Sequence, residues 1–325
     1  MAVISSCCFH LHALFLGLSL VSTFRGASSA TFTFVNKCNF PVWPGILSGA
    51  GSPPLETTGF ELAKGESHSL QVPAGWSGRF WGRSGCSFDS SGRGSCATAD
   101  CGSGEVKCKG GNAAPPATLA EFTLGGSGSQ DFYDVSLVDG YNLPMVIDGI
   151  GGSGKCVSTG CTTDLNRQCP AELRASGGMA CKSACEAFGS PEYCCSGAYN
   201  SPSACKPSLY SQIFKNACPR SYSYAFDDAT STFTCTGADY TITFCPNSPS
   251  IKSATGSSPK STQATDNSAT AGSGPGSDSN PTQDTAFTNS WLANLAIGDS
   301  PRCLPSSIIG ITLTVAISFS LLQFL

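Results

Sequence analysis

Sixteen cysteines fall between Cys38 and Cys245, and no other feature of the chain constrains its folding as much. The chain has nineteen in all. Cys7 and Cys8 lie in an apolar N-terminal leader and Cys303 lies beside an apolar C-terminal tail. Trimming both ends leaves an even set, as a disulfide framework of up to eight bonds requires. Zinc is the competing use. It calls for repeated C-x2-C pairs or matching histidines, whereas the trimmed chain keeps one histidine, His68, and adjacent Cys194 and Cys195 suit a tetrahedral site poorly. We therefore expect covalent staples, no metal and no cofactor. His68, in the alternating run "GESHSLQV", is expected to face solvent from a strand.

Staples of this kind belong to an oxidising compartment, and both ends agree. Leu11 to Val21 is apolar and is followed by "GASSA", with Ser28 and Ala30 at the small positions of a cleavage site. Residues 1–30 thus read as a signal peptide. Residues 301–325 end in "SSIIGITLTVAISFSLLQFL", an uncharged run about as long as a bilayer is thick. Small residues, a spacer, an apolar tail and the chain end follow in the order of a glycosylphosphatidylinositol (GPI) anchor signal. Gly298, Asp299 and Ser300 are one attachment triplet, and the neighbourhood of Asn289 and Ser290 is another. A single membrane span is the alternative. Residues 248–300, rich in Ser, Thr, Gly and Pro, bury too little to offset chain entropy and read as a disordered linker. The expected route is the secretory pathway to the outer face of the plasma membrane or the apoplast.

Composition narrows the partners. The formal net charge is −4 and only 12 % of residues are charged, so no basic surface for nucleic acid is available. Nothing calls for a second copy, and a monomer is expected. Between the ends, short alternating runs separated by Gly/Pro turns dominate: "TFTFVN", "GRFWGR", "ATLAEFTL", "DFYDVSLVDGYNLPM", "STFTC" and "DYTITFCP". They predict a mainly β fold, a sandwich or barrel. Residues 163–218 differ. "CPAELRA" opens with Pro as a helix start does, and "MACKSACEAF" spaces Cys181 and Cys185 as on one helical face. Cys86 to about Ala120 reads as a Gly-rich loop region.

These residues carry a family resemblance. "GRGSCATADCGSGEVKC", "TLAEFTL", "YCCSGAYNSPSAC" and "CPRSYSYAFDDATSTFTC" resemble the thaumatin-like proteins from about Thr31 to Pro246. The resemblance implies a flattened antiparallel β-sandwich with a partly helical disulfide subdomain and a small loop subdomain. Over a domain at 31–247 this gives a sandwich of about 31–83, 121–162 and 219–247, a loop subdomain of about 84–120 and a helical one of about 163–218. It also implies a pairing that spacing alone cannot choose: Cys38–Cys245, Cys86–Cys96, Cys101–Cys108, Cys156–Cys235, Cys161–Cys218, Cys169–Cys181, Cys185–Cys194 and Cys195–Cys205.

The same resemblance implies an acidic cleft of one Arg, one Glu and three Asp, linked in this family with β-1,3-glucan binding, weak glucanase activity and defence. Residue by residue, Arg83, Glu121, Asp134 and Asp139 match four places, and Arg220 stands where the fifth, an Asp, is usual. Asp134 and Asp139 lie five apart, so a regular strand would put them on opposite faces and the Asp139–Gly140 turn must re-aim the second. Glycoside hydrolysis needs one protonated and one ionised carboxyl group, and a cation pointing into the cleft would oppose that division. Three functions follow as expectations. The first is a defence protein binding β-1,3-glucan or a related wall polysaccharide. The second is a weak endo-β-1,3-glucanase with Glu121 as acid and Asp139 as base or nucleophile. The third is a recognition ectodomain for a protein partner. Phe132 and Tyr141 are candidate sugar-stacking rings, though core packing is the commoner use of such aromatics.

Overall fold

The computed structural model of the protein describes residues 29–126 and 129–246. Residues 1–28 of the signal peptide expected at 1–30, and the expected linker at 248–300 and tail at 301–325, lie outside the described residues. Twelve strands occur among the described residues: β1 (Ser29–Asn36), β2 (Trp43–Ser48), β3 (Ser67–Pro73), β4 (Ser77–Phe88), β5 (Gly94–Thr98), β6 (Leu119–Thr123), β7 (Asp131–Ser136), β8 (Met145–Ser153), β9 (Thr159–Cys161), β10 (Arg174–Ala175), β11 (Ala180–Cys181) and β12 (Phe233–Phe244). The main sheet runs β2-β4-β6-β7-β12-β1-β3, with β8 added to β12, β9 to β8 and β5 to β4.

The sheet curls on itself because β12 serves two neighbourhoods. Its first residues, Phe233 to Cys235, pair with β7. Its later residues pair with β1 on one side and β8 on the other. Period-two alternation then sends Phe32 and Phe34 of β1, Phe80 of β4, Phe122 of β6, Tyr133 of β7 and Tyr240 of β12 into one fully buried core. Phe32 meets Phe122 edge to face at 4.7 Å and Phe80 at 5.3 Å, so the rings lock the two halves of the curl together. The sandwich is antiparallel except at β1 and β12, which run parallel because the two ends of the domain lie side by side. That pairing needs a crossover of the whole domain, and the Cys38–Cys245 bond closes it.

The remaining bonds join Cys86 to Cys96, Cys101 to Cys108, Cys156 to Cys235, Cys161 to Cys218, Cys169 to Cys181, Cys185 to Cys194 and Cys195 to Cys205. Two local expectations are corrected. Cys86 to Thr98 is not loop: β4 runs on to Phe88 and pairs with β5, setting Cys86 opposite Cys96. Cys181 is not helical. It pairs with Arg174 in a two-stranded ladder and exchanges backbone hydrogen bonds with Tyr141. The helix α1 (Ala184–Phe188) starts only after Ser183, whose hydroxyl accepts from Glu186 N–H as an N-cap. Three further α-helices follow among the described residues: α2 (Pro191–Cys194), α3 (Leu209–Ala217) and α4 (Asp228–Ser231). His68 is exposed on β3 with its ring 4.4 Å from that of Phe60. Among the described residues no helix is long and apolar enough to cross a membrane.

Candidate functional site

The same alternation that buries Phe80, Phe122 and Tyr133 sends their neighbours to the opposite face of β4, β6 and β7. There the register sets Arg79 opposite Glu121, and Glu121 opposite Asp134. Cross-strand partners of this kind hold their Cβ atoms roughly 5 Å apart. A guanidinium and two carboxyl groups therefore stand in one row across three strands. All three are buried. Arg79 Nε lies 3.6 Å from Glu121 Oε1. Neither carboxyl oxygen of Asp134 has a hydrogen-bond partner.

Burial without full pairing favours the neutral acid. It pushes Glu121 up to about 7, against the pull of Arg79 and with some help from Asp139. Burial drives Asp134 well above the carboxylate range, with Glu121 and Asp228 adding repulsion. Asp139 also rises through burial, opposed by Arg79. It reaches the row because the chain turns sharply after β7. Gly140 takes φ +88° and donates to Leu137 O, and a Cβ there would meet Cys181 O at 2.7 Å. Thus Glu121, Asp134 and Asp139 come together.

Arg83 and Arg220 do not join them. Arg83 lies on the same face of β4 as Arg79, beyond Trp81, and is fully buried. Its Nε donates to Trp43 O at 3.0 Å, and its Nη atoms reach the carbonyls of Pro44, Glu105 and Val106. It braces the loop subdomain against β2, and the cation beside Glu121 is Arg79. Arg220 is exposed; its Nη1 donates to Ser158 O at 2.8 Å. The charge reversal expected there does not act on the carboxyl groups. Asp228, at the start of α4, is the further carboxylate that raises Asp134, and its Oδ1 accepts from Tyr222 at 2.9 Å.

Glu186 of α1 belongs to the same acidic neighbourhood. Burial pushes it up to about 7, Lys182 opposes, and Asp139 adds to the rise. No residue-by-residue match pointed to Arg79, Asp228 or Glu186. Only Arg79 had a legible signal: the alternation of "GRFWGR" places both arginines on one face, and either was eligible. Of the candidate rings, Tyr141 is core, its hydroxyl donating to Thr163 O, whereas Phe132 is 38 % exposed two residues before Asp134. Among the described residues no three His, Cys, Asp or Glu are grouped to hold a metal ion.

The chain is similar in sequence to several known proteins. Thaumatin-like protein 1 of Arabidopsis thaliana is 68 % identical over 231 residues, covering 69 % of this chain and 89 % of that protein. A protein of Prunus avium named glucan endo-1,3-beta-glucosidase is 54 % identical over 237 residues, covering 71 % of this chain and 97 % of its own. The solved thaumatin-like xylanase inhibitor TLXI is 25 % identical with a TM-score of 0.38, covering 66 % of this chain and 99 % of that one. The family model described as "Thaumatin family" matches residues 36–246, and the chain belongs to that family.

Proposed function

We propose that the protein is an extracellular, surface-held defence protein that binds β-1,3-glucan or a related wall polysaccharide at the carboxyl cluster of Glu121, Asp134, Asp139, Glu186 and Asp228. The observation that carries this reading is the buried Arg79–Glu121–Asp134 row. Unpaired carboxyl groups inside a protein are costly, and their retention is characteristic of a functional site. Sugar hydroxyls both donate and accept, so they can satisfy protonated and ionised carboxyl groups alike. Phe132 offers an exposed ring near the row. The reading is tested by co-sedimentation with insoluble β-1,3-glucan. Glu121→Gln combined with Asp139→Asn is expected to weaken binding at least tenfold, and equal retention of variant and wild type would sink it. The signal peptide, the linker and a GPI anchor complete the proposal for the ends of the chain. Release of the protein from intact cells by a phosphatidylinositol-specific phospholipase is the expected result for a lipid anchor, and retention would favour a span.

A second reading, weak endo-β-1,3-glucanase activity, has one observation in its favour. Burial pushes Glu121 up to about 7 within electrostatic reach of the Asp139 carboxyl group, and an acid raised in this way next to a second carboxyl group is what glycoside hydrolysis uses. Glu121 would protonate the leaving oxygen and Asp139 would act as base or nucleophile. Release of reducing ends from laminarin at pH 5 to 6 should fall at least a hundredfold in Glu121→Gln. Absence of release by the wild type would end this reading and leave the binding proposal standing.

A further inference from the structure

Strand β1 begins inside the stretch read as the leader. Ser29 and Ala30 are its first two residues, and they pair with Pro73 and Val72 of β3. The two differ in what they give the fold. Ala30 is partly buried and packs against the main core, opposite the fully buried Val72. Ser29 is exposed and lies opposite a proline, which has no N–H to donate to the ladder. Its side-chain tie is its hydroxyl, which donates to Gln71 Oε1 at 2.9 Å. A signal peptidase requires small residues one and three places before the cut. Ser28 and Ala30 meet that demand for a cut after Ala30, and Ala27 and Ser29 meet it equally for a cut after Ser29. The sequence leaves both open and the fold separates them. A cut after Ala30 discards a residue that the core uses, whereas a cut after Ser29 discards only an exposed one.

We propose that the leader is removed between Ser29 and Ala30, so that Ala30 is the first residue of the mature domain. The proposal rests on the leader reading given above. The step is hydrolysis of one peptide bond by water: the carboxyl group forms on Ser29 and departs with the leader, and the amino group forms on Ala30. An α-amino group is charged at the pH of an extracellular compartment, and Ala30 lines a hollow of about 90 Å³. Gly125, Asp131 and Asp239 are among its other walls, and no Lys or Arg is. Asp131 is engaged through both oxygens: Oδ1 accepts from Gly125 N–H and Oδ2 from the Tyr240 hydroxyl, both at 2.8 Å. Asp239 accepts from Thr31 N–H at 2.7 Å through Oδ1, and its other oxygen has no hydrogen bond among the described residues. Asp239 is therefore the counter-charge for the new ammonium. It would serve an amino group on Thr31 as well, so it does not choose between the two cuts; the core contact of Ala30 does.

The test is mass spectrometry of the N-terminal peptide of the full chain after secretion by plant cells. A peptide that starts at Ala30 is expected. One that starts at Thr31, or at any other residue past the leader, would overturn the proposal and leave the leader reading intact. One that still carries the leader would overturn both. The seat of the ammonium has its own readout, the pH dependence of acetylation of the α-amino group by acetic anhydride. A nearby carboxylate favours the charged amine, so the midpoint should lie at least about half a pH unit higher in the wild type than in Asp239→Asn. Asp239 is exposed, and Asn keeps a side-chain oxygen for Thr31 N–H, so the variant retains the fold. Equal midpoints would overturn the assignment of Asp239 as the counter-charge.

Discussion

Two arginines four residues apart on β4 do different work, and what distinguishes them is what each finds across the strand. Arg79 faces Glu121 in the next strand. Arg83 faces Trp43 and turns its guanidinium onto backbone carbonyls, where burial lowers it only to about 10, so it stays charged at neutral pH. The sequence announces an arginine on this face but not which one meets the acid, because that depends on the offset between β4 and β6. Glu121, Asp134 and Asp139 were legible through the motif they sit in. Arg220 was misleading, since position after "CP" does not say where a long side chain points. The cluster has a consequence for stability. Glu121 titrates near 7 in the fold and near 4.5 when unfolded, so the folded state binds its proton more tightly. Its contribution is complete below about pH 4.5 and is lost as pH rises through 7. Asp134 and Glu186 act in the same direction. The thermal midpoint of the wild type should fall between pH 5 and pH 8 by roughly 5 °C more than that of Glu121→Gln, which mimics the neutral acid at all pH values. Parallel pH profiles for the two proteins would contradict this account.

At the level of elements, the strands and the helical character of residues 163–218 were readable, and the bounds of the short pieces were not. Alternation in "TFTFVN" and "DFYDVSLV" marks β1 and β7 because one face of each is core. It fails at the end of β4 and in β5, where the burial pattern lacks a fully buried row and glycines interrupt it. The hairpin there is held by its ladder and by Cys86–Cys96 rather than by a hydrophobic face. The same applies to residues 163–218, whose small core is built largely around Leu165, Leu173, Phe214 and bonded cysteines. The five-residue helix α1 lies inside the stretch read as helical, but a helix that short carries too little periodicity to fix where it starts. The attachment of the loop subdomain to β4 makes a specific demand on Gly59. A Cβ there would meet Val106 O at 2.6 Å and Arg83 Nη2 at 2.9 Å. Gly59→Ala must push the loop away from the arginine that braces it, at a cost of about 1 to 3 kcal/mol. Chemical denaturation should register that loss, while glucan retention by the folded protein stays at the wild-type level. A variant as stable as the wild type would show that Arg83 is not a brace.

Across the whole molecule, the order of the strands sets the demand on the covalent framework. β1 and β12 are neighbours in space but are separated by nearly the whole domain in sequence, and they pair in parallel. No short turn can enforce that pairing. The Cys38–Cys245 bond, with a sequence separation of 207, does so by removing the open-chain freedom of the unfolded state. Loop-entropy arguments assign it roughly 5 kcal/mol, against roughly 3 kcal/mol for Cys86–Cys96, whose separation is 10. The shorter bond also lies across a hairpin that its own ladder already closes. Replacing both cysteines of each pair by alanine should therefore separate the two roles. Loss of Cys38–Cys245 should lower the thermal midpoint by roughly 10 °C, and loss of Cys86–Cys96 by roughly half as much. Equal effects, or a larger one for the hairpin bond, would mean that β1 and β12 hold together through their hydrogen bonds and the Phe32, Phe34 and Tyr240 core alone. In that case the long bond would be a brace on a closed sandwich rather than the constraint that closes it.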